Sequence, residues 1–342
     1  LSDLTVVRKA QLCTKEAHLK LLFHPTERRL RLFWRLIFFA VTLIVVAIFT
    51  GSLQSLVTTG SDFLAGEGIS ALFALLIIVV SIAVAGWLAD HRRFAEFGFH
   101  FSSAWWRQLV FGLLLGAVLM VLIFAIQLAL GWIEIDATSV SSRASTPFVV
   151  AIMQPIILFI CVGIYEELLM RGYLLKNVAE GLSFEPLGNR GGVWIAYITT
   201  SLIFGVLHAG NPNATVLSTF NIAVAGLFLG LGMLLTGELA IPIGLHITWN
   251  FFQGNVFGMP VSGTKWVGAT VLQSAETGPD LWTGGTFGPE AGLLGIIAML
   301  IGSLATIWYV RRTRGQAVIQ DAIAVYKPRS ESAESTLPEE TV

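Results

Sequence analysis

The sequence predicts an all-α fold, a polytopic transmembrane helical bundle of about eight spans. Three observations predict it. Of 342 residues, 55% are hydrophobic and only 13% are charged, where a soluble domain carries roughly 25% charged residues. Mean hydropathy is +0.75. The apolar residues gather in runs close to the roughly 20 residues that a helix needs to cross hydrocarbon.

The elements follow in order. Residues 1–33 form a basic tail, read as cytoplasmic and topology-setting. Its Leu19, Leu21, Leu22 and Phe23 allow the alternative that it lies on an anionic leaflet. It holds no apolar core followed by a small-residue cleavage site, so no cleavable signal peptide is expected. Within 34–147, three spans are read: Trp34 to Leu56, Ile69 to Leu88 and Leu109 to Leu130. Within 148–256 lie four more: Phe148 to Leu175, Val193 to His208, Ala214 to Leu235 and Leu239 to Val256. The first of these four is overlong, and its last turns are expected to protrude into the cytoplasm. Asn211, Pro212 and Asn213 read as a turn and helix start, where Pro suits the first helical position. Residues 257–290, rich in Gly and Thr, are assigned to an extracytoplasmic loop, 291–310 to the last span, and 311–342 to a polar cytoplasmic tail, disordered after Tyr326.

Lysine and arginine set the orientation. Nineteen of the 21 fall on one side of an eight-span arrangement, with Arg171 counted among those flanking the fourth span. Only Arg143 and Lys265 fall on the other. Both termini are therefore expected in the cytoplasm of an integral membrane protein, taken as one of a prokaryotic plasma membrane. Cys13 in the tail and Cys161 in a span make neither an evident disulfide nor a metal framework. No internal repeat, nucleotide-binding loop or nucleic-acid signature is present, so no nucleic-acid partner is expected.

The chemistry lies in a small intramembrane polar set. Ionised carboxylates cost a few kcal/mol in hydrocarbon, so such acids mark function by default. Glu166 and Glu167 stand side by side in FVVAIMQPIILFICVGIYEELLMRGYLL. Glu167 and Arg171 are four residues apart and can pair on one helix face, a pairing that a structural role alone would also explain. Glu166 points about 100° away, towards any cavity. Of six histidines, only His208 and His246 fall in spans. His246 and Asn250 share a helix face, as do Phe204, read as packing, and His208. Trp194, Trp249 and Trp266 read as packing or interface anchors. Glu166 and His208 each lie roughly 21 Å of helix from the turn joining their spans, hence at similar depth. His246 reaches that depth only if the turn near Gly237 dips into the membrane. A carboxylate and a neutral imidazole can activate water, and a second imidazole and an amide can stabilise an oxyanion.

Three motifs carry a resemblance. EELLMR at Glu166 to Arg171 fits EExxxR, FGVLH at Phe204 to His208 fits FxxxH, and HITWN at His246 to Asn250 fits HxxxN. In this order they resemble the CPBP family of intramembrane proteases (CAAX-protease and bacteriocin-processing), with an Rce1-like core. The resemblance implies that Glu166 and His208 activate water, that His246 and Asn250 form the oxyanion site, and that Glu167 and Arg171 support them. No cofactor is favoured. Zinc, held by Glu166, His208 and His246, is the alternative; HExxH is absent. The expected partners are the lipid bilayer and a membrane-associated peptide or protein substrate. Competing readings are a non-enzymatic scaffold or immunity factor, and a proton-coupled transporter, for which no inverted repeat is visible.

Overall fold

The structure, a computed structural model, describes residues 21–24, 26–27, 29–59, 66–141, 146–265 and 268–328. Cys13, His18, Leu19, Arg143, Trp266 and the tail from 329 onwards lie outside the described residues. Helices occupy all eight positions read from the sequence. We label them α1 (Leu32–Thr58), α2 (Glu67–Leu88), α3 (Ser103–Ala129), α4 (Phe148–Gly181), α5 (Gly188–Leu207), α6 (Val216–Thr236), α7 (Ala240–Phe251) and α8 (Leu293–Arg314). All except α7 are long and apolar enough to cross a membrane. A π-helical turn, Phe252–Val256, prolongs α7.

The described ends of the chain bear on the parity of the crossings. The Arg29 guanidinium lies 3.7 Å from the centre of the Tyr326 ring, and Arg190 on α5 meets Asp321 at 3.0 Å. Both ends therefore sit on one face of the bundle, as an even number of crossings, α7 included, would place them.

α7 is enclosed rather than lipid-facing, with Ala240 to His246 all buried. Its neighbour α3 approaches backbone to backbone. A Cβ on Gly112 would collide with the Ile241 carbonyl, and one on Gly244 with the Leu109 carbonyl. Small residues at such crossings are how membrane helices gain close van der Waals contact. Thr248 Oγ1 donates to the Leu113 carbonyl at 2.8 Å across the same seam. The α6–α7 turn is held by neighbouring segments, with Gly237 and Glu238 partly exposed. Gly237 takes the left-handed conformation with its N–H on Met233 O, Leu239 N–H donates to Gly98 O at 3.1 Å, and Leu235, Leu239 and Ala240 are buried. The Gln320 side chain donates to the Leu235 carbonyl over the turn. His246, seven residues after the turn, lies level with Glu166, its Nε2 3.8 Å from Glu166 Oε2.

The end of α4 meets a charge cluster: Glu180 is buried against Arg29 at 2.8 Å, Arg35 at 3.2 Å and Arg92 at 2.6 Å. Three expectations need correction. Arg171 is not a flanking cation but lies inside the bundle, 2% exposed. The turn at Asn211 to Asn213 is present, but α6 begins at Val216 behind a Thr215 and Ser218 capping box, not at the proline. Finally, 257–290 is not loop throughout. Strand β2 (Ala269–Glu276) pairs antiparallel with β1 (Ile133–Ser141), in register Ile133 with Glu276, and a bulge falls between Ile135 and Ala137.

Candidate active site

α4 carries both acids to the middle of the bundle and changes geometry there. It is α-helical to Glu167, π-helical over Leu168–Leu174 and α-helical again from Leu175. Such π turns are frequent at functional sites. Glu167 is fully buried and its Oε1 has two partners: the Arg171 guanidinium at 2.9 Å and His246 Nδ1 at 2.8 Å. Arg171 also donates to the Gly226 carbonyl of α6 at 2.9 Å, and its guanidinium stacks 4.6 Å from the Phe204 ring centre. A buried charge survives only when paired and hydrogen-bonded; here one carboxylate, one carbonyl and one aromatic face complete the arginine.

The two histidines are oriented by what each Nδ1 meets. A carbonyl oxygen only accepts, so His208 Nδ1 donates to Phe204 O at 2.7 Å. Its Nε2 is left as the working nitrogen. His246 Nδ1 donates to the Glu167 carboxylate, which leaves its Nε2 3.8 Å from Glu166 Oε2. The Phe204 ring lies 4.6 Å from that of His208 and 6.3 Å from that of His246.

Glu166, His208, His246 and Asn250 line one cavity of about 610 Å³, whose other walls are mainly apolar. Glu166 is half-buried and faces into it, as the helical spacing requires. The expected site residues thus come together, with Glu167 and Arg171 directly behind. Among the described residues, no three His, Cys, Asp or Glu side chains gather as a metal set.

Two features were missed from the sequence. Glu167 does more than hold Arg171; it fixes the His246 ring. Sequence spacing shows contacts within a helix, and this one spans 79 residues. The second is Glu290, 3% exposed, in the wall of the same cavity. It accepts from the Gln253 side chain and from the Ser262 N–H. Burial pushes its carboxyl up from 4.5 to about 7, against those hydrogen bonds. Asn211 donates to Ser262 O and Asn213 to Gly263 O. A turn at 261–264 is therefore pinned between the residues after His208 and those before α8. An acid one residue ahead of an apolar run was the available signal.

Residues 148–252 match the family model described as type II CAAX prenyl endopeptidase Rce1-like. The core of this chain is thus similar to an Rce1-like domain. No curated protein and no solved structure matches the chain. The matched segment contains Glu166, Glu167, Arg171, His208, His246 and Asn250 and stops before the 261–264 turn and Glu290. The similarity to an Rce1-like endopeptidase domain, together with seven helices long and apolar enough to cross a membrane, supports an intramembrane endopeptidase.

Proposed function

We propose that the protein hydrolyses a peptide bond of a membrane-associated protein or peptide in this cavity, with Glu166 and His208 activating water and His246 and Asn250 holding the oxyanion. The observation that carries the reading is the meeting of three motifs from three helices in one cavity, each imidazole presenting Nε2. In the first step the water oxygen bonds to the scissile carbonyl carbon. Glu166 takes one water proton, and His208 Nε2 accepts a hydrogen bond from the other O–H. The carbonyl oxygen becomes an oxyanion facing Asn250 Nδ2–H and, with His246 as imidazolium, Nε2–H. The Glu167 carboxylate balances that charge from behind. In the second step the C–N bond breaks and Glu166 returns its proton to the leaving amine. The peptide bond is exchanged for a carboxyl and an amine with no co-reactant besides water. A positioned base contributes about 10²–10⁴ in rate, and one oxyanion donor about 10²–10³.

The metal-free form is preferred because Glu166 would otherwise have to serve as both ligand and base, Glu167 being engaged by Arg171 and His246. Purified protein with Glu166→Gln should keep its melting profile and lose hydrolysis; full activity would overturn the assignment. Metal analysis of active wild-type protein should find no stoichiometric zinc. One equivalent, lost with activity on chelation and restored with it, would make Glu166, His208 and His246 ligands instead.

A further inference from the structure

The two ends of the bundle differ in charge and in packing. At one end Arg29, Arg35 and Arg92 surround Glu180, and Arg314 at the end of α8 donates to the Thr236 carbonyl. Between this end and the site the interior is solid. Leu168, Tyr173, Phe97, Met233 and Leu239 are all at most 1% exposed and belong to one packed cluster.

At the other end the cavity runs outwards. Its walls there are the first turn of α2 at Glu67 and Ser70, Asn211 beyond α5, the 261–264 turn, and Glu290 before α8. Each belongs to a helix end or connection on the same side as the β1–β2 ribbon, opposite the arginines. The charge of the walls is also one-sided. Glu67, Glu166 and Glu290 line the cavity, and among the described residues no lysine or arginine does. Cation-rich connections stay in the cytoplasm, which places the arginine end inside and the cavity's outer end outside.

We propose that the site is supplied from the extracytoplasmic side, so that its substrate is an extracytoplasmic segment of an exported or membrane-anchored polypeptide. The word substrate rests on the hydrolytic reading above; the direction of access does not, and can be measured without activity.

The test uses full-length protein in intact cells, with Cys13→Ser and Cys161→Ala as background and single cysteines at three positions. Ala225→Cys and Glu166→Cys report on the cavity; the exposed Gln316→Cys reports on the arginine end. The probe is a cationic, membrane-impermeant methanethiosulfonate. Both cavity cysteines should react in intact cells, and Gln316→Cys only after permeabilisation. Should Glu166→Cys fail to fold, Ala225→Cys, a change of one small side chain, carries the reading. Cavity cysteines that react only together with Gln316→Cys, or under neither condition, overturn the proposal. External labelling of Ala225→Cys in a protein that hydrolyses nothing would instead sink the hydrolase reading and leave the direction of access standing.

Discussion

Glu167 shows how much of a site can turn on one buried side chain. It accepts from Arg171 and from His246, so it balances the buried guanidinium and orients the imidazole ring. Replacing it by Gln keeps the shape but leaves Arg171 without its counter-ion. Glu167→Gln should lower kcat by about 10²-fold or more, since it misaligns an oxyanion donor, and should also destabilise, since breaking a buried pair costs about 3–5 kcal/mol. Steady-state kinetics on the folded fraction, beside a thermal melt, separates the two. Unchanged kcat with a lowered melt would reduce Glu167 to a structural role. The motif residues themselves were legible because helical spacing and the cost of a charge in hydrocarbon are local facts. The Glu167–His246 bond was not, because it depends on how α4 and α7 face each other. The acidic walls carry a second prediction. A peptide with a free carboxylate within a few residues of the scissile bond would meet Glu67 and Glu166 in a cavity that, among the described residues, no lysine or arginine lines. Its amide should be cleaved faster at low ionic strength, with the gap closing as salt screens the charges. Equal rates for both would show that the walls do not read charge.

Helix positions were legible to within about six residues at each end, because most apolar runs are long enough to specify one span. The fifth and seventh runs were the short ones; α5 is long enough to cross, and for α7 tertiary packing supplies what its length does not. Its seam with α3 has no room for side chains at Gly112 and Gly244. Gly244→Leu should therefore destabilise by more than the about 1–3 kcal/mol usual for overpacking and shift His246, lowering activity and melting temperature together. A wild-type melt would mean that the helices are not in contact. The ribbon was missed although Ile133, Ile135 and Ala137 alternate with polar residues, a strand pattern; the reading of long apolar runs passed over it. The 261–264 turn depends on Glu290, and the sign of its pH effect follows from its raised pKa. The folded state holds that proton more tightly than the unfolded chain does. Stability should be full below the ordinary value of 4.5, fall as pH rises through about 7, and level off above it. Glu290→Gln should flatten that part of the profile in a series of melts, because its carbonyl still receives the Ser262 N–H without titrating. An unaltered slope would assign the pH dependence to another group.

Across the whole molecule the chain closes on itself at the arginine end. The Lys and Arg distribution revealed which connections share a side, but not that Glu180 is the hub where they meet. Its partners Arg29 and Arg35 lie 151 and 145 residues away in sequence, beyond the reach of any spacing argument. The hub joins the start of α1, the connection after α2 and the end of α4. The tail adds Tyr326 over Arg29, and its Gln320 covers the α6–α7 turn. Stability and chemistry should therefore be separable. Glu180→Gln leaves three buried guanidinium groups around a neutral side chain, and one uncompensated partner of a buried ion pair already costs about 3–5 kcal/mol. The melting temperature in detergent should fall markedly. The site is divided from this hub by the packed cluster around Leu168 and Tyr173, so kcat per folded molecule should stay near wild type, the reverse of the expectation for Glu167→Gln. An unchanged melt for Glu180→Gln would mean that Glu27 and Asp90 suffice as counter-ions for these arginines, and that Glu180 is not what holds the bundle closed.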